Sequence, residues 1–148
     1  MGRIISFRGL IEDGGIDTVP LQTNNGLIGY RIKKMQLIGE QPGSTNIEAT
    51  VKVYSIPQTG AATNIVDFSD QTLLAAGHHA KGNNTSEVVS NIIVFDNVVF
   101  NQDIFVTAID TQATEPINYY IELEQMPLSL DEQTVATLKD IRNNKVPN

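Results

Sequence analysis

The chain has no cysteine and no tryptophan among its 148 residues, and only two histidines. Without thiols it can form no disulfide, no thiolate metal site and no cysteine nucleophile. It also takes no stand on redox compartment, since a cysteine-free chain tolerates any poise. Without indole it lacks a ring on which sugar sites often stack. Basic residues are few: ten Lys and Arg against seventeen Asp and Glu give a formal charge of −7. They are scattered, with only Lys33 and Lys34 adjacent and no aromatic residues interleaved. Nucleic acid needs a basic stripe to neutralise phosphates, so direct nucleic-acid binding is not expected. No apolar run approaches the ~20 residues of a membrane-spanning helix. The opening "MGRIISFRGL" is too short in apolar residues for a signal peptide. Gly2 and Ser6 fit the N-myristoylation pattern, which is short and common by chance; the same stretch reads first as a β-strand, Arg3–Arg8.

What the sequence does contain is a rhythm of turns. Gly14–Gly15, "TNNG" at 23–26, "QPGS" at 41–44, "PQTG" at 57–60, "KGNN" at 81–84 and "TQATEP" at 111–116 separate short strand-like runs. That rhythm predicts an all-β fold, an antiparallel sandwich or barrel, in one domain spanning 1–148. A chain of this length buries roughly two-thirds of its unfolded surface and needs no metal or disulfide to hold it. Three runs alternate cleanly. "NIEATVKVYS" sets Ile47, Ala49, Val51 and Val53 inward and Glu48, Thr50, Lys52 and Tyr54 outward. "DIFVTAID" sets Ile104, Val106 and Ala108 against Phe105, Thr107 and Ile109. "INYYIELEQ" sets Ile117, Tyr119, Ile121 and Leu123 inward and Asn118, Tyr120, Glu122 and Glu124 outward. The last two read as a hairpin joined by "TQATEP". "EVVSNIIVF" at 87–95 is apolar on both faces and reads as a central strand. "YRIKKMQLIG" changes phase at Lys33–Lys34, which predicts a bulge. "LLAAG" at 73–77 fits a strand or a helical turn.

The period changes after Pro127. Ser129 with Glu132 makes a capping box. Asp131 and Glu132 in the first turn and Lys139 and Arg142 near the last suit the helix dipole. Leu130, Val135, Leu138 and Ile141 form one apolar stripe. One C-terminal helix, about 130–142, follows.

For chemistry, the first candidates are Asp96, Asp103 and Asp110, spaced by seven. An odd spacing on a strand turns side chains to opposite faces. Asp and Asn also favour turns, where they bond nearby amides. The three therefore read as turn residues rather than as a calcium site, and no EF-hand pattern is present. His78 and His79 are adjacent, point apart on any regular element, and read as part of a polar loop. No G-x-S-x-G elbow and no phosphate-binding glycine loop occur. Glu122 and Glu124 share a face, as glycosidase carboxylates must, but it is the solvent face of a strand. Catalytic, cofactor and metal residues are accordingly none, and the chain is not expected to be an enzyme, a small hydrolase being the weakest alternative.

The segments "IIVFDNVVFNQDIFVTAID", "INYYIELEQ" and "LSLDEQTVATLKDIRNN" resemble the C-terminal half of small virion structural proteins of marine tailed bacteriophages. "YRIKKMQLIGEQPG" and "VKVYSIPQTG" are similar to the earlier part of such proteins. These motifs are structural, so the resemblance implies a place in the particle and no active residues. Many small phage β-sandwiches are capsid decoration or cement proteins, often trimers. The implied expectation is a jelly-roll-like sandwich on the virion, head surface favoured. Its implied partners are the major capsid protein or other virion proteins and further copies of itself, with a trimer favoured, no membrane and no cofactor. The alternative is a neck- or tail-associated receptor- or glycan-binding module, for which Tyr30, Tyr54 and Tyr120 are the outward aromatic candidates. Arg3, Ile5, Phe7 and Arg8 make an N-terminal strand suited to a neighbour's sheet edge. With the stripe Leu130, Val135, Leu138 and Ile141, they are the expected subunit contacts.

Overall fold

The computed structural model describes residues 2–21, 27–42, 46–81, 90–112 and 114–128. Eight strands run through them: β1 (Arg3–Ile11), β2 (Ile16–Val19), β3 (Ile28–Gly39), β4 (Ile47–Tyr54), β5 (Leu73–Lys81), β6 (Ser90–Phe95), β7 (Ile104–Asp110) and β8 (Ile117–Pro127). They form two antiparallel sheets, one in the order β1-β8-β3 and one in the order β2-β7-β4-β5-β6.

Alternation explains why the sheets meet. On β8, Ile117, Tyr119, Ile121 and Leu123 are buried, while the residues between them are half-buried. On β3, Ile32, Met35 and Leu37 point the same way as these, and Val51, Val53, Ile104 and Val106 come from the other sheet to the same apolar cluster. The expected bulge is present: β3 shifts register against β8 between Ile32 and Lys34, which keeps Ile32 and Met35 both inward. Gly14, at φ 77°, turns β1 into β2 where a side chain would be strained. Gly29 lets Leu128 and Val99 approach β3; a Cβ there would meet their side chains at 2.7 and 2.8 Å.

Several expectations change. β7 and β8 are not a hairpin. β7 pairs with β2 and β4, and β8 pairs with β1 and β3, so residues 111–116 cross between sheets. Alternation tells which face of a strand is buried but not which strand lies beside it. The "EVVSNIIVF" run is not central either: its described part, β6, is an edge strand with Ile92, Val94 and Phe95 exposed. "LLAAG" belongs to a strand, β5, and so do His78 and His79, which are not in a loop. β1 belongs to this chain's own sheet, pairing with β8 along Arg3–Ile11 as an edge strand and packing Ile5 and Phe7 against the core. The expected helix at about 130–142, with Leu130, Val135, Leu138 and Ile141, lies outside the described residues.

The core and edge assignments have unequal consequences for truncation. Ile121→Ala is expected to cost ~2–5 kcal/mol in denaturant unfolding, the usual cost of emptying a packed site. Ile92→Ala on the exposed edge is expected to stay within about 0.5 kcal/mol. Equal losses at the two positions would contradict this placement of β6.

Candidate functional site

The aspartates come first, since they were the nearest thing to chemistry in the sequence. Asp103 precedes β7 and Asp110 ends it, which sets them roughly 20 Å apart along an extended strand. Asp103 Oδ1 accepts the backbone N–H of Leu21 at 2.8 Å. Asp110 is buried. Its Oδ1 accepts the amides of Glu48 and Gln112 at 3.0 and 2.9 Å, and its Oδ2 accepts that of Glu115 at 2.7 Å. It thus ties the start of β4 to the crossover after β7. Asp96 is exposed beside the β5–β6 edge, and its backbone N–H donates to the Leu74 carbonyl at 3.1 Å. Among the described residues, no group of three or more His, Cys, Asp or Glu side chains is placed to hold a metal ion.

The histidines point apart, as adjacent strand residues must. His78 lies on the outward face with Nε2 3.6 Å from Glu48. His79 faces inward and is buried, and burial holds its pKa below the ordinary imidazole value, with a hydrogen bond to Asn91 acting the other way. Of the outward carboxylates on β8, Glu124 pairs with Arg31 at 2.6 Å, and Glu122 accepts the Tyr120 hydroxyl at 2.7 Å. Both acids hold neighbouring side chains in place.

A buried lysine is the feature that sequence reading missed. Lys52 sits on the outward face of β4, yet it is only 3 % exposed. The 55–72 loop covers it: its ammonium donates to Thr63 Oγ1 at 3.1 Å and to the Ile65 carbonyl at 2.7 Å, and lies 5.6 Å from the Tyr54 ring centre. Burial lowers the Lys52 pKa, and the charge of Asp70 partly restores it. Tyr54 is buried in the same place, and Tyr30 is buried against Phe100, so neither is an outward aromatic. No periodic signal marks a loop that folds back over a sheet, which is why Lys52 looked solvent-facing.

That anchoring presents the next residues. Asp67 Oδ1 accepts the N–H and hydroxyl of Ser69, and Asp70 Oδ1 accepts those of Thr72, at 2.6–2.9 Å. Between Lys52's grip and these two turns, Ile65 and Phe68 stand 68 % and 69 % exposed, with Val66 also exposed. Phe68 borders Val94 and Phe95 of the β6 edge. The opposite side of the molecule is concave. A trough of about 730 Å³ opens on the three-stranded sheet, with Arg8, Leu10, Gln36, Ile38, Asn118 and Tyr120 among its walls. The expected contact residues of β1 divide: Ile5 and Phe7 serve the core, while Arg3 and Arg8 are exposed.

One buried polar pair couples the two sheets. The Tyr119 hydroxyl donates to the Asp17 carboxylate, linking β8 to β2. Burial first, then this carboxylate, pushes the Tyr119 pKa far above the usual phenol value. A group that keeps its proton in the fold but loses it when unfolded stabilises fully below the unfolded pKa of about 10, and less as pH rises beyond it. Stability is therefore expected to fall above about pH 10, and Tyr119→Phe to lessen that fall while costing ~1.5–3 kcal/mol at neutral pH. Urea melts of both proteins at neutral and alkaline pH read this directly; an unchanged alkaline slope in the variant would refute it. Lys52→Met is expected to lower the local opening free energy of residues 56–66 by ~1.5–3 kcal/mol in hydrogen exchange, and to leave β8 amides protected.

Compared with known proteins, the chain matches no protein-family model and no curated protein.

Proposed function

We propose that the chain is a non-enzymatic structural protein of a tailed-phage particle, a decoration or cement protein bound to the major capsid protein of the head shell. The observation that carries this is the surface just described. Ile65, Val66, Phe68, Ile92 and Val94 are exposed at and beside β6, the edge strand of its sheet among the described residues, and exposed apolar surface of this kind marks association. The candidate acids, in contrast, are engaged as acceptors for backbone amides, hydroxyls and a guanidinium. The resemblance of the five segments quoted above to small phage virion proteins supports the same reading.

We read the two sheets as a jelly-roll sandwich. Its support is a nested pairing scheme: β1 with β8, β2 with β7, β3 at Tyr30 with Phe100 just past β6, and β4 with β5. A ribbon folded in half and rolled gives that order.

The alternative, a receptor- or glycan-binding module of neck or tail, has its best seat in the trough, where Arg8, Gln36, Asn118 and Tyr120 offer polar groups and a ring. Quantitative mass spectrometry of purified particles separates the readings. A copy number comparable to that of the major capsid protein is expected. A small fraction of that number would favour neck or tail, and absence from the particle would end the virion reading.

A further inference from the structure

We infer that the Ile65–Phe68 turn of one copy seats in the Arg8–Leu10–Ile38 trough of a second copy, a head-to-tail contact between two different surfaces. The inference deepens the assembly reading and rests on it.

Shape comes first. The turn is convex and held from both sides, by Lys52 at the Ile65 carbonyl and by the Asp67–Ser69 and Asp70–Thr72 turns. A pre-set loop loses little freedom on docking. Three of its four side chains are apolar and exposed. The trough is concave, and about 730 Å³ holds side chains of that size with room for water. Leu10 and Ile38 supply apolar walls that are themselves half exposed.

Charge comes second. The fourth residue of the turn is Asp67, and Asp70 and Asp96 lie close by. No Lys or Arg occurs between Lys52 and Lys81, or between Lys81 and Lys139. The apolar patch is thus bordered by acid. Arg8 is the charged residue in the trough wall, and Lys33 and Lys34 are exposed on the same sheet. Glu122 and Glu124 share that sheet's outward face but are engaged with Tyr120 and Arg31, so the charge the trough itself offers the acidic turn is that of Arg8, whereas the turn against itself sets like charges together.

Connectivity comes third. The turn lies over the outward face of the five-stranded sheet, where Lys52 holds it, and Arg8, Leu10 and Ile38 lie on the outward face of the three-stranded sheet. The turn and these three side chains thus lie on outward faces of different sheets with the shared core between, although Asn91 of β6 also borders the trough, and the partner that fits it is a second copy. A contact between unlike surfaces closes into a ring when the rotation permits, and otherwise propagates; the trimer expected from the phage resemblance is such a ring.

The test is sedimentation velocity of the full chain and two variants at about 100 µM and about 1 µM, a range that exposes a micromolar Kd. Phe68→Ser removes the knob and Arg8→Glu reverses the trough; both side chains are exposed. The parent is expected to run larger than a monomer at the higher concentration and to dissociate on dilution. Each variant alone is expected to lose association by ~10-fold or more. Mixed together they are expected to recover one contact, trough of the first with turn of the second, and to stop at a dimer. A monomeric parent, either variant associating as the parent does, or a mixture without dimer would overturn the inference. Unchanged melting curves certify each fold, with Ile38→Lys replacing Arg8→Glu should that variant melt early. A protein abundant in particles yet monomeric in solution would sink this contact alone; one that assembles but is missing from particles would sink the virion reading alone.

Discussion

One apolar cluster between the sheets governs everything else. Ile117, Tyr119, Ile121 and Leu123 of β8 share it with Val51, Val53, Ile104 and Val106 of β4 and β7. Neither sheet has another way to bury its inner face, and neither is stable with that face in water. The strands that build the cluster are distant in sequence: β1 pairs with β8, and β2 with β7. Both pairs join segments from opposite ends of the described chain. Such non-local pairing forms slowly, because loop-closure entropy is lost before contacts offset it.

The acidic residues make sense against that topology. A nested ribbon leaves long crossings whose amides have no strand beside them. Asp103 reaches across 82 residues to Leu21, Asp13 accepts the Asp110 amide across 97, and Tyr119 and Asp17 meet across 102. Carboxylates accept these bonds more strongly than neutral oxygens do. The same geometry makes Asp110 an architectural residue, tying the start of β4 to the crossing after β7.

How much of this was legible follows from what alternation encodes. The inward rows of β4, β7 and β8 and the bulge at Lys33–Lys34 stood out in the sequence because each depends on its own strand. Pairing did not: "TQATEP" is long enough for a hairpin or for a crossing, and only the burial of both sheets decides between them. Edge status was also hidden. Ile92, Ile93 and Val94 look alike in sequence, but only Ile93 packs on the core. Lys52 and Tyr54 were misread because their cover is the aperiodic 55–72 loop. Of the expected contacts on β1, Arg3 and Arg8 are exposed, while Ile5 and Phe7 are partly buried against the core.

The exposed edge poses a last physical question, what opposes its pairing with a second β6 edge. β6 carries no charged residue from Ser90 to Phe95, and sheet edges are usually guarded by lysine, proline or a bulge. Here the guard is placed outside the strand. Asp96 follows it directly, and Asp67 and Asp70 sit in the adjoining loop. Two copies bringing β6 edges together would crowd six carboxylates around a dry contact, counting three from each, and like charges so placed cost several kcal/mol. The same acids attract a basic surface. One set of charges thus forbids the symmetric, fibre-forming contact and steers the apolar turn toward a surface such as the Arg8 trough. The net charge of −7 acts in the same direction, setting copies of the chain against one another wherever acidic surfaces face.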